Sequence, residues 1–370
     1  MDAIYLDFAK AFDKVDHVIL RSKLAMYGFG GNLLKLLSSY LAGRSQVVKI
    51  KGDKSKAVDI SSGVPQGSIL GPILFAIFIN DIFLVVKFCK ILGFADDTKL
   101  FHTVCCIEDA MDLQLDLNAV YNWSVRNKLP LNIGKCAVLS FYRGRGFFDT
   151  RYNLNNEDLK RVTTMKDLGV IFSSDLKFGD HLTYVINKAK RKLGFVIRST
   201  FDFKGPNTII ALFKSLVLPI LTYAAQIWSP TTQQDHNEIE KIVHRALRNA
   251  AQKSGNPMSW IDHDYTSLYE QFKVLKVKQL HLRNDLCFMF KVLKGSVCPQ
   301  LRSLFPSRSL TYSIRRPRIL KEFNYDSVAY GFLSPVARLR RDWNKLSTSY
   351  NTDISLPRFK ELAFDYVMGL

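Results

Sequence analysis

The chain has no zinc spacing. Its six cysteines (Cys89, Cys105, Cys106, Cys136, Cys287 and Cys298) include no Cys-x-x-Cys pair, which argues against the common zinc-ribbon and finger arrangements. Six thiols in 370 residues predict free cysteines in a reducing compartment rather than a disulfide framework. No apolar run reaches membrane length unbroken. The longest, Ile69 to Val86, is interrupted by Gly71-Pro72 and Asn80-Asp81 and reads as a buried helix. No basic-then-apolar leader follows Met1-Asp2, so a secreted product is not expected. Internal repeats and low-complexity tracts are absent too, which argues against solenoids and disordered tails. Negative charge is scarce: 33 acidic residues face 52 basic ones, leaving a net charge of +19. That balance predicts a polyanionic partner, nucleic acid or an anionic membrane surface.

What is present points to a globular protein. Apolar residues make up 47% of the chain, enough for a sizeable core in two or three domains. The basic excess is uneven. Residues 1–175 hold 22 basic and 18 acidic side chains, whereas 176–370 hold 30 and 15. One reading places chemistry in the first part and a grip on nucleic acid in the second.

Periodicity supports that division. Ala3 to Leu6 reads as a strand, and Val18 to Tyr27 and Leu33 to Leu41 as helices. Gln46 to Lys51 alternates as a strand, with a partner at Val58 and Ile60. A helix begins near Ser68, whose hydroxyl can cap it. Ile107 to Lys128 reads as an amphipathic helix with Met111, Leu115, Val120 and Trp123 on its inner face. Cys136 to Phe141 and Met165 to Phe172 each read as one strand. After residue 175 the pattern becomes helical: Leu182, Val185, Ile186, Ala189, Leu193, Val196 and Ile197 form one stripe, followed by helices over Thr208 to Leu221 and Glu238 to Ala251. Basic loops are expected at Arg315–Arg318 and Arg338–Arg341. The fold class expected is α+β, an antiparallel sheet with packed helices over 1–175, followed by a basic helical region over 176–255 and a helical region of uncertain role over 256–370.

The stretch that organises the chain is Gly93-Phe94-Ala95-Asp96-Asp97-Thr98-Lys99-Leu100. Apolar residues on both sides of a polar tip predict a β-hairpin. Adjacent strand residues point to opposite faces, but two carboxylates at a tight turn crowd one another, and a divalent cation relieves their repulsion. A third carboxylate, Asp7, ends the first strand. Strand-end carboxylates brought together in a sheet suit a two-metal phosphoryl-transfer site, whose ions lie roughly 3.5–4 Å apart. Mg²⁺ takes few protein carboxylates and completes its shell with substrate phosphates.

Three stretches, in this order, resemble the palm motifs of reverse transcriptases: Tyr5-Leu6-Asp7-Phe8-Ala9-Lys10-Ala11-Phe12-Asp13, Gly63-Val64-Pro65-Gln66-Gly67-Ser68 continuing to Asn80-Asp81, and Phe94-Ala95-Asp96-Asp97. The third has the form typical of non-LTR retrotransposons. Leu131 to Phe141 and Met165-Lys166-Asp167-Leu168-Gly169-Val170 resemble the later palm and primer-grip strands, and Leu216 to Pro230 is similar to the thumb side of jockey-like elements. The resemblance implies an RNA-directed DNA polymerase with palm and thumb, using two Mg²⁺ ions, deoxynucleoside triphosphates, an RNA template and a DNA primer or target, with no membrane partner and plausibly in the nucleus. It implies the catalytic carboxylates Asp7, Asp96 and Asp97, with Asp7 and Asp96 as the metal ligands and Asp97 in support. It places Phe8, Phe12, Gln66, Gly67 and Lys135 at the substrate, Phe12 as a steric gate against a ribose 2′-hydroxyl and Lys135 near the departing pyrophosphate. Lys188, Arg191, Lys192 and Arg198 would lie on nucleic acid. The family's fingers normally precede the first motif, where this chain opens. The expectation is therefore a palm and thumb without fingers that polymerises poorly alone, the alternative being a catalytically inactive nucleic-acid-binding remnant.

Overall fold

The computed structural model describes residues 1–142, 148–255, 264–306, 320, 334–346 and 354–369. They form two compact units, Met1–Lys177 and Phe178–Leu370.

In the first unit, β1 (Asp2–Leu6) is followed by helices α1 (His17–Met26) and α2 (Gly31–Leu41). Two ribbons come next: β2 (Arg44–Gln46) pairs with β5 (Val58–Ile60), and between them β3 (Lys49–Ile50) pairs with β4 (Asp53–Lys54). Helix α3 (Leu70–Ile79) leads to the hairpin β6 (Lys90–Phe94) and β7 (Asp97–His102), then to α4 (Ile107–Arg126) and β8 (Ala137–Ser140). A ribbon of β9 (Asn153–Leu154) and β10 (Glu157–Asp158) precedes β11 (Lys160–Val162) and a hairpin of β12 (Thr164–Asp167) and β13 (Val170–Ser173). The main sheet has the order β11-β8-β1-β7-β6, antiparallel except for the β11–β8 pair.

The central position of β1 follows from its sequence. Ala3, Ile4 and Leu6 are all buried, as expected of a strand paired on both edges and covered by neighbours. Even-numbered side chains (Ile4, Leu6) join a helix-covered core with Phe8, Leu20, Leu24, Phe75, Phe78, Val120 and Trp123. The odd-numbered side chains therefore face the other way.

Several expectations are corrected here. Helix α4 buries Ala110, Leu113, Leu117, Val120 and Trp123, whereas Met111 and Leu115 are exposed. The inner stripe is thus rotated from the one the large apolar residues suggested. Asp116 is turned inward because its carboxylate accepts the backbone N–H groups of Lys87, Phe88 and Cys89. Met165 to Phe172 forms a hairpin rather than one strand, since Leu168 and Gly169 both take positive φ and reverse the chain. Gln46 to Lys51 is likewise split between two ribbons.

The second unit is helical throughout its described residues. Its longest helices are α5 (Gly179–Ser199) and those over Gln233–Lys253 and Val277–Leu293. The expected helix over Thr208 to Leu221 is interrupted by a π turn at Phe213–Val217, one turn before Pro219. Arg338–Arg341 lies on the helix Pro335–Leu346 rather than in a basic loop. Arg338 is drawn inward by Asp285, 3.0 Å away, and by the carbonyls of Ala225 and Gln226. Arg315–Arg318 lies outside the described residues. Among the described residues no helix is long and apolar enough to cross a membrane.

Candidate active site

Strand register assembles the site. β1 pairs with β7 from Asp2 opposite His102 to Leu6 opposite Thr98. The next residues beyond that pairing are Asp7 and Asp97, the first residue of β7, and both line one cavity. Residues two apart on a strand share a face, which places Asp7 with Tyr5 and Asp97 with Lys99. That face is the one opposite the helix-covered core. It also carries Tyr5 and Lys99, paired two residues earlier, and Leu92 and Phe94 of β6, which pair with Lys99 and Asp97. An open cavity of about 360 Å³ lies on this face, lined by Tyr5, Asp7, Phe94, Asp97, Lys99 and Lys135 on one side and by Met165 to Leu168 on the other.

The hairpin tip is strained. Ala95 and Asp96 are its two turn residues, and Ala95 takes φ +54°, a conformation that costs a side chain roughly 1 kcal/mol. The tight turn presents Asp97 at the very end of its strand. Asp96 occupies the turn itself and is not among the side chains lining the cavity. The three carboxylates are therefore not gathered into one compact cluster: among the described residues no group of three or more His, Cys, Asp or Glu side chains is disposed to hold a metal ion. The closest approach to that expectation is the pair Asp7 and Asp97. Partial burial, and then the charges of Asp96, Asp167 and Asp7, push the Asp97 carboxyl above its ordinary range, with Lys99 opposing.

Asp7 is held by its neighbours. Its carbonyl accepts from Asn132 N–H at 2.7 Å, Ala9 N–H donates to the Pro130 carbonyl at 2.8 Å, and Phe8 bridges to Leu131. The same segment turns through Ile133–Lys135 and brings Lys135 Nζ to 3.6 Å from Asp7 Oδ2. Lys135 thus stands in the cavity beside the acidic pair.

The remaining candidate residues are spread along the unit. The Phe8 ring is buried edge-on to Trp123, on the inward-facing side of β1. Phe12 stacks on Phe75 at 4.4 Å and is half-buried. The Gly63–Ser68 loop is pinned beside Phe12. Gly63 N–H donates to the Val15 carbonyl and Val64 N–H to that of Phe12, each at 2.8 Å. A Cβ on Gly63 would lie 2.8 Å from the Asp13 backbone, at φ +90°, so only glycine fits. Gln66 Nε2 donates to Asp13 Oδ1 at 2.9 Å, and Gly67 is exposed at φ +78°. Ser68 Oγ accepts from Gly71 N–H, within the first turn of α3.

In the second unit Lys188, Arg191, Lys192 and Arg198 are all exposed on α5. Tyr184 and Phe195 share their side of the helix, with Lys188 Nζ 5.8 Å from the Tyr184 ring and Lys192 Nζ 5.4 Å from that of Phe195.

Two of the ion pairs that sequence reasoning missed bear on this unit. Lys23 is buried under α3, where it donates to Asp81 at 2.7 Å and to the Phe78 carbonyl, while Trp123 Nε1 donates to the same Asp81 carboxylate. Asn80-Asp81 was visible as a motif extension but gave no sign of its partners. The other is Lys99–Asp167, in the cavity itself. A lysine two residues after Asp97, on its face of the strand, was the available signal.

Residues 3–172 match the family model described as reverse transcriptase (RNA-dependent DNA polymerase). The chain is 30% identical over 255 residues to the RNA-directed DNA polymerase from mobile element jockey of Drosophila funebris, covering 66% of this chain and 28% of that protein. It is 28% identical over 262 residues to the probable RNA-directed DNA polymerase from transposon BS of Drosophila melanogaster, covering 67% and 28%. Apo telomerase from Candida tropicalis is a distant structural likeness, with a TM-score of 0.42 at 12% identity over 78% of this chain and 51% of that one. Over residues 3–172 the chain is thus similar to reverse transcriptases, and the relatives it matches include polymerases of jockey-type mobile elements. The chain spans 28% of the length of those two relatives.

Proposed function

We propose that the first unit is the palm of an RNA-directed DNA polymerase, with Asp7 and Asp97 as its principal acidic pair and Asp96 in support. The observation that carries this is the cavity shared by Asp7 and Asp97, each one residue beyond the Leu6–Thr98 pair. The pair suits a divalent cation: two oxygen-only donors whose mutual repulsion is relieved by positive charge. Bound there, Mg²⁺ would lower the pKa of an attacking 3′-hydroxyl and neutralise charge on the leaving pyrophosphate. The chain's own side chains do the rest. Asp7 and Asp97 hold negative charge where the cation would sit, and Lys135 offers a donor for a triphosphate. Phe12, braced by Phe75, restricts the sugar to a deoxyribose. Gln66 and Gly67 offer an exposed surface to template and nucleotide. The basic face of α5 takes the nucleic-acid backbone, and the working place is the nucleus. Primer extension on an RNA template with Mg²⁺, run beside Asp7→Ala, tests this. Incorporation by the parent above that of the variant, with RNA binding equal in both, supports the reading; equal incorporation overturns it.

A further inference from the structure

The cavity has a wall that the acidic pair does not explain. Hairpin β12–β13 forms its own two-stranded sheet, apart from the sheet that holds β6 and β7. Its base is anchored by backbone: Ser174 N–H donates to the Thr163 carbonyl at 3.0 Å, and Tyr142 N–H to the Ser174 carbonyl at 3.2 Å. Its tip, Asp167-Leu168-Gly169, reaches across the open face of the main sheet. There Asp167 is ion-paired to Lys99, with only 10% of its side chain exposed. Lys99 comes from the strand that begins at Asp97 and sits 5.8 Å from the centre of the Tyr5 ring. Tyr5 and Lys99 are cross-strand partners directly behind Asp7 and Asp97. The ion pair therefore joins the cavity's wall to the strand that carries its chemistry.

We infer that Lys99–Asp167 is a positioning pair with two effects: it fixes the tip of β12–β13 as one wall of the cavity, and it withholds the Asp167 carboxylate from the Asp7/Asp97 pair. A carboxylate lining the same cavity as Asp7 and Asp97 is a potential extra ligand for a hard cation. Lys99 occupies it. The hairpin tip is then free to present its Leu168-Gly169 turn, not its charge, to whatever enters. This rests on the reading of Asp7 and Asp97 as the cation-holding pair.

The test uses this chain with Mn²⁺ alone as the probe, and hydrogen exchange over 164–173. Lys99→Met is expected to speed exchange of the hairpin amides and to tighten Mn²⁺ binding, each by about tenfold, the size of coupling found between groups in direct contact. Lys99→Arg is expected to restore both, and adding Asp167→Asn to Lys99→Met is expected to return Mn²⁺ affinity to the parent value or below while leaving exchange fast. A merely structural role would change exchange but not the sense of the metal response, and would overturn the inference. So would a Lys99→Met protein that keeps slow exchange. Should Lys99→Met be too unstable to study, Asp167→Asn alone must speed exchange without tightening Mn²⁺ binding; slow exchange there overturns the inference as well. Asp7→Asn in the parent separates the two claims: if it leaves Mn²⁺ affinity unchanged, the acidic-pair reading fails; if it weakens binding while Lys99→Met is silent, only the positioning role fails.

Discussion

At the residue scale, the site stores unfavourable free energy. Asp97 is pushed above the ordinary carboxylate range by burial and by three neighbouring carboxylates. A raised folded-state pKa on an acid means its ionisation opposes folding. The stability it contributes is present below the unfolded-state pKa and is lost as pH rises through the folded value. Asp97→Asn is therefore expected to melt higher than the parent at pH 8, with the gap narrowing as pH falls through the carboxylate range, in thermal unfolding followed at both pH values. A variant that melts lower at pH 8 would count against the crowding of charge described above. Ala95 makes the same point with backbone instead of charge. Its φ of +54° is one that glycine adopts freely, so Ala95→Gly is expected to stabilise the first unit by roughly 1 kcal/mol in denaturant unfolding. No gain would mean that the turn is unstrained.

At the scale of elements, helices are anchored to the main sheet by buried polar groups as well as by apolar contact. Lys23 on α1 is 8% exposed and reaches Asp81, just beyond α3, beneath Trp123 of α4. Removing one partner of such a pair strands the other. Asp81→Ala is expected to cost about 3 kcal/mol in urea unfolding, and a cost under about 0.5 kcal/mol, ordinary for a surface change, would refute the anchoring role. These devices also mark where sequence reasoning stops. The strand ending at Asp7, the Asp96-Asp97 hairpin and the helix after Ser68 were legible because alternation, turn residues and apolar runs are local signals. The partner of Asp81 was not, because Lys23 lies 58 residues away and looks like any surface lysine. Met111 and Leu115 misled for a related reason: apolar size suggested the inner face of α4, whereas three backbone N–H groups reaching Asp116 fixed the helix's rotation. The acidic pair itself was half legible. Spacing marked three aspartates, whereas the cavity that Asp7 and Asp97 line came only with the fold.

At the scale of the whole molecule, chemistry and charge are divided along the chain. The acidic residues of the site belong to the first unit, whereas residues 176–370 carry twice as many basic as acidic side chains, 30 against 15. Helix α5 has no acidic residue after Asp180. If its exposed face meets single-stranded RNA, each phosphate it neutralises adds about 0.7 to the salt slope. Replacing Lys188, Arg191, Lys192 and Arg198 together by alanine is then expected to weaken binding and flatten that slope by roughly 3, measured by RNA titration across salt concentrations. An unchanged slope would place the contact elsewhere. The account depends most on two carboxylates from different strands acting on one cation, and Mn²⁺ titration followed by electron paramagnetic resonance addresses that directly. Asp7→Asn and Asp97→Asn should each weaken binding by at least about tenfold, the loss of one charged ligand; binding as tight as the parent's in either variant would contradict it.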